Sequence, residues 1–285
     1  MTALTQVAYL GPIYSYSYLA SREHFGETAD FIPVNTIAAV FDAMQSGLAN
    51  YGVVPLENST DGRIVDTLNL LARADIEISA EINYAIHHNL IANCEMSDIR
   101  DVYSKPQALS QCRNWINENL PGVSVCSAAS SAEAAELIAT MATNGDVGGA
   151  AAIASTAAAE HYGVTIRAKS IQDKANNLTR FAVLGSDSQT PSGDDKTLLL
   201  LELDHRPGAL ADVMSVFKAE DINLTWIESF PSPDAPNEYV FFIEFVGHRV
   251  DEPVQHAIDV LQQYTRAVRV LGTYPRATTT GAPTI

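Results

Sequence analysis

Up to about residue 185 the sequence repeats one grammar: a short apolar strand, a loop of Gly, Pro, Ser or Asn, then an amphipathic helix. QVAYL leads through GPIYS into a helix near residues 16–25, and YGVVPL leads through ENSTDG into RIVDTLNLLARA. DVYS meets KPQALSQCRNWINENL, where Pro106 suits the first helical turn and Leu109, Cys112 and Ile116 share a face, so one helix is expected there. VSVCSAAS precedes SAEAAELIATMA, with Ser130 and Glu133 at capping-box spacing, and GGAAAIAS precedes TAAAEHYG, which stops at Gly163. Five such units predict an α/β fold with a mostly parallel sheet wrapped by helices.

Residues 186–196, SDSQTPSGDDK, hold no large apolar residue and read as a linker. Beyond it the pattern changes. TLLLLELD, LTWIESF, EYVFFIEFV and AVRVLGTY read as strands, with PSPDAPN as a hairpin loop; GALADVMSVFKAED and PVQHAIDVLQQY have helical spacing. The order βαββαβ is that of the ferredoxin-like fold.

Composition narrows the partners. A formal net charge of −17 over 285 residues repels the phosphates of nucleic acid and of anionic membranes, so neither is an expected partner. An anionic substrate would have to be held by a local arrangement of Arg, Lys and backbone amides. No apolar run reaches the ~18 residues of a membrane span, and MTALTQVAYL has no basic segment or cleavage site, so a cytoplasmic address is expected. Cys94, Cys112 and Cys126 lack CxxC spacing and read as reduced, mostly buried thiols. No nucleotide loop and no metal-spaced cluster is present, which favours chemistry without cofactor or metal.

In open α/β sheets, ligands bind beyond the carboxyl ends of the strands, where helix N-termini present unpaired N–H groups. GPIYSYS, ENSTDG and SKPQA occupy such positions and carry Ser15 and Ser17, then Asn58, Ser59 and Thr60, then Ser104 and Gln107. Three convergent donor-rich loops suit a carboxylate-bearing ligand. His87 and His88, read as strand residues on opposite faces, are expected to be satisfied core histidines. Glu57 is expected to serve as a dipole partner of the helix that follows. In TRFAVLG, alternation puts Thr179 and Phe181 on one face and Arg180 on the other.

VYSKPQALSQC, VPLENSTDG, IQDKANNLTRFAVLG and GALADVMSVF followed by NLTWIESFP occur in one order on one chain. Together they resemble the prephenate dehydratases, lyases of phenylalanine biosynthesis, over about residues 6–275. The resemblance implies a catalytic domain over 1–185, built as two α/β lobes like those of periplasmic binding proteins. A linker at 186–196, a ferredoxin-like ACT regulatory domain at 197–276 and a disordered tail at 277–285 complete the expected chain. It implies catalytic Thr179, Arg180 and Phe181, and substrate binding by Ser15, Ser17, Asn58, Ser59, Ser104, Gln107, Ala108 and Asn177. The implied regulatory phenylalanine site comprises Gly208, Ala209, Leu210, Asn223, Leu224, Glu228 and Ser229. The implied partners are prephenate, the effector L-phenylalanine, and further copies of the chain in a homodimer or homotetramer. The chorismate mutase domain fused to some relatives is not expected here.

Two departures stand out. The first loop usually carries a second glycine where this chain has Tyr14, and the usual Glu-Ser-Arg-Pro of the ACT domain appears as Glu228-Ser229-Phe230-Pro231. Other readings of the same residues are an arogenate dehydratase, a decarboxylase that leaves the ring unaromatised, and a non-catalytic amino-acid sensor. The leaving-group hydroxyl of Thr179 is one that a sensor would not need.

Overall fold

The computed structural model describes residues 4–144, 148–185, 190–232 and 239–280. Parts of the expected linker (186–189), hairpin loop (233–237) and tail (281–285) lie outside the described residues. The chain divides into two compact units, one holding Met1–Thr67, Ile82–Phe181 and Thr279–Ile285, the other Leu68–Glu81 and Ala182–Thr278.

The first part of the chain runs β1 (Gln6–Leu10), α1 (Tyr16–Phe25), β2 (Asp30–Val34), α2 (Ile37–Gln45), β3 (Tyr51–Asn58), β4 (Gly62–Arg63), α3 (Val65–Arg73) and β5 (Ile78–Ala85). Then follow β6 (Asn89–Ala92), β7 (Asp101–Ser104), α4 (Pro106–Gln111), α5 (Arg113–Asn119), β8 (Ser124–Ser127), α6 (Ser131–Thr143), β9 (Ala150–Ala154), α7 (Thr156–Tyr162) and β10 (Ile166–Ala168). The last elements are β11 (Leu178–Leu184), β12 (Asp195–Glu202), α8 (Ala209–Ala219), β13 (Leu224–Pro231), β14 (Tyr239–Val246), α9 (Glu252–Leu261), β15 (Ala267–Pro275) and β16 (Thr279–Thr280).

The first unit holds two sheets. In one, β1 pairs in parallel with both β2 and β3, and β11 lies next to β3. The other has the order β10-β6-β9-β7-β8; β7 is parallel to β8 and β9, whereas β6 is antiparallel to both its neighbours, β9 and β10. The expected parallel sheet is therefore a parallel core with antiparallel additions. β6 enters the second sheet directly from β5 of the other sheet, through 86–88 with no helix between, and runs against β9. The chain crosses between the sheets there and again between β10 and β11. His87 and His88 sit in the first crossing, not in a strand as expected.

Helix ends follow their caps. Ser15 accepts from the Tyr18 N–H, Ser130 accepts from the Glu133 N–H at 3.0 Å, and Gly163 ends α7 in the left-handed region. The helix expected from Pro106 onward is broken at Cys112. Asp173 accepts from the Asn114 and Trp115 N–H groups at 3.1 and 3.2 Å, capping a second helix start that competes with continuation of the first.

In the second unit, β12, α8, β13, β14, α9 and β15 give the expected βαββαβ order, with an antiparallel sheet ordered β13-β14-β12-β15. Leu199, Val213, Phe217, Ile243 and Phe245 form its core against both helices. The unit also recruits residues 68–81, which the sequence reading assigned wholly to the catalytic part. Gly272 of β15 pairs with Ile78 of β5 so closely that a Cβ would meet the Ile78 carbonyl oxygen. Arg249 pairs with Glu77, and Arg269 donates to the Leu71 carbonyl.

Lys196 lies between two glutamates, 3.0 Å from Glu81 Oε1 and 3.6 Å from Glu244 Oε1; both glutamate side chains are 1% exposed. Thr225 and Tyr274 hydroxyls donate to Glu244 at 2.6 and 3.0 Å, and the Ala277 N–H donates to Glu81 at 2.9 Å. The tail differs from the expected disorder at 277–280, because Thr279 and Thr280 pair with Asn83 and Tyr84 of β5.

Candidate active site

The carboxyl ends of β1, β3 and β7 open onto a cavity of about 400 Å³ in the first unit, within the range of ~300–1,000 Å³ usual for small-molecule sites. Ser15 and Ser17 reach it from the first loop, Asn58 from the end of β3, Gln107 and Ala108 from α4, and Thr179 and Phe181 from β11. The three loops named from sequence thus do converge. Leu10, Pro55, Ile64, Ile86 and Phe181 supply an apolar wall, all of it from the first sheet and its connections.

Thr179 is the end of a buried chain of hydrogen bonds. Asn58 Oδ1 accepts from the Thr60 and Asp61 N–H groups at 2.9 and 3.2 Å, which forces its Nδ2 to face the strand. That nitrogen donates to Thr179 Oγ1 at 2.9 Å and to Asn177 Oδ1 at 3.0 Å. Thr179 Oγ1 accepts there, so its own O–H is left to donate on the cavity side. Asn177 passes the chain on, donating to Gln111 Oε1 at 2.8 Å.

Gln111 turns its Nε2 to the Asp61 carboxylate at 2.7 Å, so its Oε1 can only accept. His88 Nε2, 2.8 Å from that oxygen, must therefore carry a proton. Burial lowers the His88 pKa below the ordinary imidazole value, against smaller opposing effects from Gln111 and Asp61. The ring is neutral with Nδ1 as acceptor, 3.3 Å from Tyr16 Oη. Burial raises the Tyr16 pKa well above the usual phenol value, and its O–H donates to the His87 carbonyl at 2.7 Å. His88 is held through Nε2 by Gln111 and is also part of the cavity wall.

Several expected binding residues do other work. Arg180 does not line the cavity: alternation along β11 turns it to the opposite face, where it is 8% exposed. Ser59 exchanges hydrogen bonds with β11, accepting from the Leu178 N–H at 2.9 Å and donating to the Asn176 carbonyl at 3.0 Å. Ser104 donates to the Ile153 carbonyl at 2.7 Å and is fully buried between strands. Asn177 stands one layer behind Asn58. Glu57 pairs with Arg63 across β3 and β4 and is not part of the wall.

Sequence reasoning missed Tyr16, Lys105, Gln111, Ser130 and Ser131, all of which line the cavity. Gln111 was within reach, since it follows Gln107 by one helical turn. Ser130 was recognised as a cap, and its place after β8 matches that of the other three loops. Tyr14, the departure in the first loop, takes φ 62°, a left-handed conformation that costs a non-glycine residue roughly 1–2 kcal/mol. Its ring stacks on His161 with centroids 4.0 Å apart, which offsets that strain.

A second cavity, of about 140 Å³, lies in the second unit beside the start of α8 and is lined by Asp204, His205, Arg206, Ala209, Leu210 and Tyr239 among others. Of the expected regulatory residues only Ala209 and Leu210 line it. Gly208 caps α8 with φ 86°, Leu224 packs on the core, and Asn223, Glu228 and Ser229 lie elsewhere, at or along β13. Phe230, in the place of the expected cation, meets Phe242 edge-on at 5.8 Å. Arg206, which the sequence reading passed over, supplies a cation and pairs with Asp212 at 2.7 Å. Among the described residues no group of His, Cys, Asp and Glu is placed to hold a metal, and no helix is long and apolar enough to cross a membrane.

Comparison with known proteins decides the family. The family model described as prephenate dehydratase matches residues 7–189, and that of the ACT domain matches 197–261. The chain belongs to the prephenate dehydratase family. It is 40% identical over 273 residues to the bifunctional chorismate mutase/prephenate dehydratase of Aquifex aeolicus, covering 95% of this chain and 74% of that protein. The crystal structure of prephenate dehydratase from Arthrobacter aurescens in complex with L-Phe superposes with a TM-score of 0.86 at 29% identity, covering 99% of this chain and 92% of that one. A structure described as GqqA, a novel type of quorum quenching acylase, has a TM-score of 0.84 at 28% identity, covering 95% and 98%. The two-lobed catalytic part and the ferredoxin-like ACT domain expected from sequence are thus the architecture of prephenate dehydratases.

Proposed function

We infer that this prephenate dehydratase converts prephenate to phenylpyruvate, carbon dioxide and water under control by phenylalanine. The observation that carries the catalytic part is the Thr179 hydroxyl, which accepts from Asn58 and lines a cavity of substrate size with its own O–H left to donate. Breaking the bond to the ring carboxylate releases neutral carbon dioxide and leaves an electron pair in the ring. That pair aromatises the ring and expels the hydroxide at the far carbon, which takes up one proton to leave as water. Aromatisation drives the reaction, so the protein must orient the ring and stabilise the departing oxygen. A threonine hydroxyl is a poor acid near neutrality and a good hydrogen-bond donor, which suits Thr179 to the second task. The apolar wall with Phe181 desolvates the ring carboxylate and favours its loss as an uncharged molecule. Ser15, Ser17, Gln107 and Ala108 position the substrate.

The acylase reading suggested by one structural relative needs a nucleophile within hydrogen-bond reach of a base. His88, the histidine of the wall, is engaged by Gln111 and faces Tyr16, and no serine or threonine of the wall bonds to it. Lyase chemistry is the better fit.

For regulation we propose the cavity beside α8 as the phenylalanine site, with Arg206 and the α8 amides receiving the carboxylate. The Arthrobacter relative holds L-Phe, which supports such an effector. The catalytic domain is taken as 1–185 and the regulatory domain as 197–276. A homodimer or homotetramer built through the regulatory domain, in the cytoplasm, completes the reading.

Purified protein given prephenate or arogenate, with products identified, tests the activity. Phenylpyruvate from prephenate is expected; recovery of unchanged prephenate, or of a non-aromatic decarboxylated product, would refute it.

A further inference from the structure

Prephenate is a dianion, and the protein that must bind it carries a net charge of −17. A local cation is needed at the cavity, and Arg180, the one expected from sequence, faces away. Among the described residues that line the cavity, Lys105 is the one Lys or Arg. It stands between the end of β7 and the start of α4, exposed, and no carboxylate among the described residues is paired with it.

Its position is not neutral with respect to the substrate. The apolar wall and Thr179 come from the first sheet and its connections, whereas Lys105, Gln107, Ser130 and Ser131 come from the second. The Ala128 N–H donates to the Ser104 carbonyl at 2.9 Å, so the segment leading to Ser130 runs alongside Lys105. One side of the cavity therefore suits the reacting ring and the other a charged tail.

The chemistry says which carboxylate a cation can usefully hold. The ring carboxylate loses its negative charge as it departs, so a cation beside it would stabilise the ground state over the transition state and slow the reaction. The side-chain carboxylate keeps its charge throughout. We propose that Lys105 binds the side-chain carboxylate of prephenate and, through that contact, makes the enzyme prefer the keto acid to its amino counterpart. In arogenate an ammonium group stands on the carbon next to that carboxylate, within the field of the Lys105 ammonium. This proposal rests on the dehydratase reading and assigns the substrate preference that the sequence left open.

A contact that is the same in ground and transition states changes KM and leaves kcat alone. Steady-state kinetics of the wild type, Lys105→Met and Lys105→Arg, with prephenate and with arogenate as substrate or competing inhibitor, tests it. Lys105→Met should raise KM for prephenate by roughly 10- to 100-fold with kcat within about threefold, as for loss of a charge-assisted contact. Its preference for prephenate over arogenate should shrink at least about tenfold, and Lys105→Arg should restore both properties to within a few fold. An unchanged KM, a fall in kcat alone, a preserved preference, failure of arginine to rescue, or a wild type that favours arogenate would each overturn the assignment. A wild type that consumes neither substrate would instead overturn the dehydratase reading itself.

Discussion

Two buried polar clusters, one around Asn58 and Asn177 in the first unit and one around Lys196 in the second, differ in where their hydrogen-bonding capacity ends. The first is a chain of neutral amides that fixes each neighbour's orientation and finishes at the Thr179 hydroxyl, with a donor left over. The second is a closed knot in which Lys196, Thr225, Tyr274 and the Ala277 N–H satisfy Glu81 and Glu244 from within the unit. Burial alone does not mark a functional site. A polar network becomes one when its geometry leaves a group aimed at a cavity, and otherwise it specifies packing.

Breaking the closed knot should have the largest effect. Lys196→Met leaves two carboxylates buried without their cation and should cost about 3–5 kcal/mol of stability, read by urea unfolding. The folded fraction should turn over prephenate with wild-type kcat. A substantial loss of kcat in that fraction would show that the knot is not merely structural.

The open chain is broken at its end by Thr179→Val, which keeps shape and removes the donor. We expect kcat to fall at least ~100-fold, about 2.7 kcal/mol, with little change in KM, beside a stability loss of about 1–3 kcal/mol from the Asn58 N–H left without its acceptor. Retention of half the wild-type kcat would refute the role of the hydroxyl.

The cavity beside α8 sharpens the contrast as a third arrangement, an exposed cation at a helix start with no buried network behind it. Because Arg206 is half exposed, solvent screens its contribution. Arg206→Gln should weaken phenylalanine binding by roughly three- to tenfold in titration calorimetry, below the full value of a buried charged contact. Phe230→Arg should change affinity less than this, since Phe230 packs on Phe242 and does not line the cavity.

The smallest effect is a pH dependence in the open chain. The folded protein holds His88 with a lowered pKa, so between that value and the ordinary imidazole value near 6.5 the unfolded chain binds more protons. The stability contributed by neutral His88 is complete above pH ~6.5 and is lost as pH falls through the folded pKa. His88→Asn should flatten this acid limb in a series of melting curves, and an unchanged limb would assign it to other groups.

What the sequence by itself determined were the features that act over a few residues or one element. The strand–loop–helix repeat, the caps at Ser15, Ser130 and Gly163, the βαββαβ order and the convergence of three loops follow from periodicity and capping chemistry, and the motifs around Thr179 pointed to the family. The face of β11 was legible too: alternation turned Arg180 away from Thr179, and the structure follows alternation over the role the resemblance implied. Only the tertiary structure decided the rest. That Cys112 breaks a helix depends on Asp173, that Asn177 stands behind Asn58 depends on Gln111, and that 68–81 joins the second unit depends on Gly272 and Arg249. Each of these requires partners far apart in the chain, and a hydrogen bond or a close approach between them leaves no local pattern. Lys105 became visible for the same reason, because a single lysine among seventeen basic residues acquires meaning only when the folded chain shows which cavity it lines.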